Sequence, residues 1–139
     1  MKECVPKASP IVILCVDDDP SGLLSRRMLL ERLGFEVLGA ASGGAALRML
    51  HRRRVDLVIT DHFLPGMTGV ELIAAVKLLR PQLPVMMLTG AMEAPPGSEQ
   101  ADLVLIKGAD PQRFLAEVAK LLAKRLPPAD TNDDSANLQ

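Results

Sequence analysis

The stretch Ile11-Val12-Ile13-Leu14-Cys15-Val16-Asp17-Asp18-Asp19-Pro20 is an apolar run of strand length that stops abruptly on three carboxylates and a proline. Its β-branched, uninterrupted apolarity is that of a strand covered on both faces, as in a parallel sheet. Asp19-Pro20 has the form of a helix N-cap followed by proline at the first helical position, where the missing N–H costs nothing. Leu23, Leu24, Met28, Leu30 and Leu33 would form the apolar face of that helix, and Gly34 its C-terminal stop.

The same strand-then-helix unit recurs along the chain. Phe35 to Leu38 is a predicted strand, and Ser42 caps a helix carrying Ala46, Leu47 and Leu50. Val55 to Thr60 is a second strongly apolar strand ending at Asp61. A Pro65-Gly66 turn leads to a helix from about Thr68 with Val70, Ile73, Val76 and Leu79. Pro84 to Thr89 and Leu103 to Ile106 are two more strands. Asp110-Pro111 repeats the cap-and-proline signal before a last helix with Phe114, Leu115, Val118, Leu121, Leu122 and Leu126. This alternation implies an open parallel sheet with helices on both faces. One link is irregular. The segment from Met92 to Gln100 contains Pro95-Pro96-Gly97, so it is expected to hold at most one short turn or a mobile loop.

With 139 residues the chain fits one domain with a core of its own. We expect a leader over residues 1–10, one domain over 11–126 and a polar, disordered tail over 127–139. A net charge of −1 and only three aromatic residues, all Phe, argue against nucleic-acid binding. The basic cluster His51-Arg52-Arg53-Arg54 closes a predicted helix, where cations complement the dipole. Cys4 and Cys15 make neither a disulfide framework nor a zinc site, and Cys15 reads as a small core residue. No apolar run has the length of a signal peptide core or a membrane span, so a cytoplasmic location is expected.

In doubly wound sheets ligands gather at the carboxyl ends of the strands. Those ends carry Asp17-Asp18-Asp19, Asp61, Thr89 and Lys107. Carboxylates converging in one cleft repel one another unless a cation joins them. A hard cation with oxygen ligands answers this, and Mg²⁺, which keeps several waters, suits two or three carboxylates. Lys107 adds a positive charge, and the Thr89 hydroxyl can donate to an incoming oxyanion. A carboxylate nucleophile, a metal, a lysine and a hydroxyl together describe a phosphoryl-transfer site.

The chain resembles the receiver domain of two-component response regulators. The residues carrying the likeness are VDDDP (Val16 to Pro20), DHFLPGMTG (Asp61 to Gly69), LTG (Leu88 to Gly90) and IKG (Ile106 to Gly108). The resemblance implies a flavodoxin-like, doubly wound, five-stranded parallel sheet of order 2-1-3-4-5, here with a degenerate fourth helix. It implies phosphotransfer to Asp61 from a sensor histidine kinase or a histidine phosphotransfer protein. Asp18 and Asp61 would bind Mg²⁺ directly with the backbone carbonyl of Phe63, Asp17 largely through water, and Thr89 and Lys107 would contact the phosphoryl group. Such a domain catalyses only its own phosphorylation and dephosphorylation. With no output domain expected in the chain, its message would pass to a separate downstream protein, unless the domain is the receiver of a hybrid kinase.

Several positions depart from the family pattern. Gly108 replaces the proline that commonly follows the lysine, which disfavours a cis peptide. Leu64 and Thr68 replace the common Met and Asp of the loop after the acceptor. Val104 stands where receivers commonly carry a Tyr or Phe, so readout by an aromatic rotamer is not expected; ordering of the Met92–Gln100 segment would replace it. Phe63 is expected to hinder water at the aspartyl phosphate, and His62 to take no part in transfer. Two rival readings follow from the same residues. A magnesium phosphatase of the haloacid-dehalogenase type would use Asp17, Asp19, Thr89 and Lys107, but lacks a cap domain and a later acidic pair, Asp133-Asp134 falling in the tail. A receiver-like binding module that no longer switches would explain Val104 and Gly108 but not the complete site.

Overall fold

The computed structural model describes residues 10–90 and 94–125. The expectations for the leader with Cys4, for Met92, for Leu126, for Asp133-Asp134 and for the tail therefore lie outside the described residues. The strands are β1 (Val12–Val16), β2 (Glu36–Ala40), β3 (Leu57–Asp61), β4 (Val85–Thr89) and β5 (Leu103–Ile106). The helices are α1 (Pro20–Arg32), α2 (Gly43–Arg52), α3 (Gly69–Leu79) and α4 (Pro111–Arg125). All five strands pair in parallel in the order β2-β1-β3-β4-β5.

Side chains alternate across β1 and so build two cores. Val12, Leu14 and Val16 face α2 and α3, meeting Ala46, Leu50, Leu72, Ile73 and Val76. Ile13 and Cys15 face the other way, toward Leu30 of α1 and Phe114 and Val118 of α4. Both faces of the central strand are thus buried, which is why its sequence shows no polar alternation. Burying a side chain such as Ile13 or Leu14 completely is worth about 1.5–3 kcal/mol.

The helix starts are those the cap residues specify. The Asp19 side chain accepts from the Ser21 N–H with Pro20 in the first turn, and Ser42 accepts from the Ala45 N–H. Thr68 and Glu71 form a full capping box, satisfying two otherwise orphaned N–H groups. The apolar face expected for α1 is rotated. Leu24, Met28 and Leu33 are exposed, and the inward stripe is Leu23, Arg26, Arg27 and Leu30. Two arginines sit inward because their heads find acceptors there: Arg26 at Asp17 and Arg27 at the Val37 carbonyl, 2.9 Å away. In α3 the buried set is Leu72, Ile73 and Val76, whereas Leu79 is 38% exposed.

Between β4 and β5 the described residues contain only a single 3₁₀ turn, Ser98–Gln100, in place of a fourth crossover helix. Gly97 takes φ 90°, and a Cβ there would stand 2.7 Å from Val70 Cγ1, so this turn lies hard against α3. Ser98 Oγ donates to the Pro95 carbonyl at 2.6 Å and closes it.

Cys15 is fully buried, and burial pushes its thiol up to about 12 from an ordinary 9.0. Only the thiolate reacts, so in a Cys4→Ser background the native protein should resist thiol reagents at pH 8 and react once denatured. Rapid labelling of the native variant would contradict the placement. Because this pKa is raised on folding, the associated stability is intact below pH 9 and is lost as pH climbs toward 12.

Candidate functional site

Four strand ends meet above the carboxyl edge of the sheet. β1 runs into Asp17 and Asp18; Asp17 holds its place by donating its N–H to the Ala40 carbonyl at 3.0 Å. β3 ends on Asp61, which is in register with Leu88 of β4, and Thr89 is the next residue along. The Lys107 N–H donates to the Thr89 carbonyl at 2.7 Å, which carries the lysine from the end of β5 back toward the centre. Gly108 follows with φ 87°, a left-handed conformation that proline cannot take. Every described peptide bond is trans. The glycine thus supplies a different turn, and Lys107 still reaches Asp61.

One carboxylate oxygen from each of Asp17, Asp18 and Asp61 lies within 4.8 Å of the other two. Asp17 and Asp61 are buried, at 2% and 5% exposure, while Asp18 faces solvent. Like charges this close, with two of them out of water, need cations. Two are built in. Lys107 Nζ donates to Asp61 Oδ2 at 2.8 Å, and Arg26 pairs with Asp17 Oδ2. Asp17 Oδ1 accepts the Asp19 N–H at 2.9 Å. Three oxygen donors of this hardness in one cleft, one side open to water, suit a small divalent cation with part of its hydration shell retained.

The acceptor is held from behind by a close backbone crossing. The Gly69 N–H donates to the His62 carbonyl at 2.6 Å, and a Cβ on Gly69 would stand 2.6 Å from the Asp61 carbonyl oxygen. Beyond Asp61, Phe63 projects outward at 67% exposure, its ring edge-on to His62 with centroids 4.7 Å apart. Val104 is half-buried against the α2–α3 core, so that position holds a packed aliphatic group.

The structure therefore brings Asp17, Asp18, Asp61 and Lys107 together and sets buried Thr89 on the neighbouring strand end. Asp19 is occupied as the α1 cap, which removes it from the role the phosphatase reading gave it. Arg26 is the residue that sequence reasoning missed. Its position three residues after Leu23 and four before Leu30 marks it as inward-facing, but a charge on a core stripe reads as a break in the pattern.

Residues 13–119 match the model of the response regulator receiver domain. The chain belongs to that family. It is 32% identical to a CheY-like receiver from Methanospirillum hungatei, with a TM-score of 0.79 over 84% of this chain and 97% of that one. The TrrA response regulator of Thermotoga maritima, solved with Mg²⁺ and BeF, is 27% identical with a TM-score of 0.76, covering 80% of this chain and 98% of that one. Among curated proteins, the transcriptional regulatory protein GlrR of Escherichia coli is 41% identical over 80 residues, 58% of this chain and 18% of GlrR. The sensor protein GacS of Pseudomonas syringae is 37% identical over 82 residues, 55% of this chain and 9% of GacS. The chain thus spans a small part of the curated relatives it matches. The phosphatase reading is not favoured.

Proposed function

We propose that this receiver domain, bounded by residues 11–126, accepts a phosphoryl group on Asp61 in a Mg²⁺-dependent reaction. The observation that carries this reading is the buried Asp61 carboxylate, with Lys107 on one oxygen and Asp17 and Asp18 beside it. An Asp61 oxygen attacks phosphorus of a phosphohistidine, the P–N bond breaks, and its electron pair stays on the imidazole nitrogen of the donor. Lys107 holds the acceptor oxygen before transfer and neutralises a phosphoryl oxygen after it. The Thr89 hydroxyl donates to a second phosphoryl oxygen. Asp17, Asp18, Asp61 and the Phe63 carbonyl would hold the ion, which supplies charge neutralisation for the approaching phosphate. The donor is a sensor histidine kinase or histidine phosphotransfer protein, the recipient of the message is a separate protein or module, and the setting is cytoplasmic. No helix among the described residues is long and apolar enough to cross a membrane.

Incubation with acetyl phosphate and Mg²⁺, followed by intact mass and phosphate release, tests the reading. A single stoichiometric adduct supports it; steady turnover of generic phosphate esters without an adduct would overturn it. Two further outcomes are expected. Phe63 is an exposed apolar ring two residues past Asp61, and if it hinders water there, Phe63→Asn should speed loss of the phosphoryl group by roughly tenfold, ~1.4 kcal/mol of barrier. An unchanged lifetime would remove Phe63 from that role. With Val104 packed and a 3₁₀ turn the only helical element among the described residues between β4 and β5, readout passes through the segment pressed on α3 at Gly97. Hydrogen exchange over residues 94–101 should slow when BeF₃⁻ is bound; identical exchange in both states would exclude this route.

A further inference from the structure

Arg26 enters the acid cleft through a gap left by a missing side chain. Gly22 lies one turn earlier on α1. A Cβ at Gly22 would stand 2.8 Å from Asp17 Oδ2, 3.4 Å from Arg26 Nη2 and 3.4 Å from Asp19 Oδ2. The guanidinium fills the corner that any other residue at position 22 would narrow. It is itself shielded, with 15% of its side chain exposed, and Asp17 is shielded further, at 1%. Both Asp17 oxygens are thereby engaged, Oδ1 by the Asp19 N–H and Oδ2 by Arg26.

We propose that Arg26 is an internal counter-ion that competes with the divalent cation for Asp17, so that the chain carries its own setting of Mg²⁺ affinity. The inference rests on the proposed metal site and concerns what opposes its filling. An arginine and a divalent cation cannot both neutralise one buried carboxylate oxygen at full strength, since each draws on the same lone pairs and each repels the other. Arg26 must therefore withdraw, wholly or in part, as the ion binds. The structure supplies somewhere to go. A cavity of about 330 Å³ adjoins the cleft between α1, β5 and α4, lined by Asp19, Leu29, Leu105, Lys107 and Phe114. Asp19 also lines this cavity, and its Oδ2, like Arg26 Nη2, lies 3.4 Å from a Cβ at Gly22, so its carboxylate offers the guanidinium a second partner. Asp17 is never left unpaired: the arginine neutralises it without metal, and the metal does so afterwards.

Calorimetric titration of Mg²⁺ into the unphosphorylated chain tests this, on wild type, Arg26→Met and Arg26→Lys. Arg26→Met should bind Mg²⁺ roughly tenfold tighter than wild type, with Arg26→Lys between them because it keeps a charge. Thermal melting provides a second reading independent of phosphorylation. In chelator Arg26→Met should melt below wild type, because Asp17 loses its cation, and added Mg²⁺ should raise its midpoint more than that of wild type. A purely structural arginine would lower the midpoint equally with and without Mg²⁺ and leave the affinity unchanged, which overturns the proposal. Weaker binding by Arg26→Met overturns it too. Equal affinity in wild type and Arg26→Met overturns the competition while leaving the metal site in place. Binding by neither removes the metal site as well.

Discussion

Asp61→Asn should gain no phosphoryl group from acetyl phosphate under conditions that label the wild type completely, and should do so while remaining folded. The amide keeps the shape of the side chain but offers a neutral oxygen, a far poorer nucleophile than a carboxylate. Stability should not fall with it. The charge removed is one of three carboxylates crowded within 4.8 Å, so Asp17 and Asp18 lose a repulsive neighbour. Lys107 loses its partner, but its side chain is 38% exposed and its ammonium can turn to water. The melting midpoint in chelator should therefore equal or exceed that of wild type. A labelled Asp61→Asn chain would place the acceptor elsewhere, and an unfolded one would mean that the Lys107 pair contributes more than its exposure implies.

Gly69→Ala should do the opposite: damage the fold and, through it, the chemistry. Alanine at the first position of α3 would ordinarily stabilise, by about 0.4–1 kcal/mol, through reduced freedom of the unfolded chain. Here the added methyl meets the Asp61 carbonyl oxygen at 2.6 Å and His62 Cα at 2.8 Å, both main-chain atoms that cannot rotate aside. The clash prevails, because backbone displacement of this kind costs about 1–3 kcal/mol. The displaced backbone is that of the acceptor, so phosphorylation should slow by roughly tenfold or more. Gly44→Ala is the matched control. Its nearest neighbour would be the flexible end of Arg48 at 3.6 Å, so it should gain stability and leave labelling unchanged. Equal melting midpoints for the two variants would show that the crossing behind Asp61 is slack.

The contrast between these two glycines shows what can be read from a sequence and what cannot. Both lie in the first turn of predicted helices, and nothing local separates them; only the return of α3 across the end of β3 does. The strand ends were legible because each apolar run is cut by a polar residue with its own chemistry: Asp17, Asp61, Thr89 and Lys107. Asp19, Ser42 and Thr68 were legible as caps because capping is local. The face of α1 was not. Leu24 and Met28 suggest a core stripe by their spacing, yet Arg26 and Arg27 face inward, since Asp17 and the Val37 carbonyl await them across the sheet. Acceptors supplied by distant strands leave no periodic trace. For the same reason Arg26 was missed while Lys107, at the end of its own strand, was found.

Lys107 also follows β5, an edge strand, which pairs on one side only and leaves Ile106 46% exposed. Such margins fray at lower free energy than the centre of a sheet. Each fraying event would lift the ammonium away from Asp61, whereas Asp17 and Asp18 follow β1 and Asp61 ends β3, strands flanked on both sides. Positive and negative charges of one cleft are thereby mounted on parts of unequal firmness. Momentary loss of the outer strand would leave the acidic cup standing without its lysine.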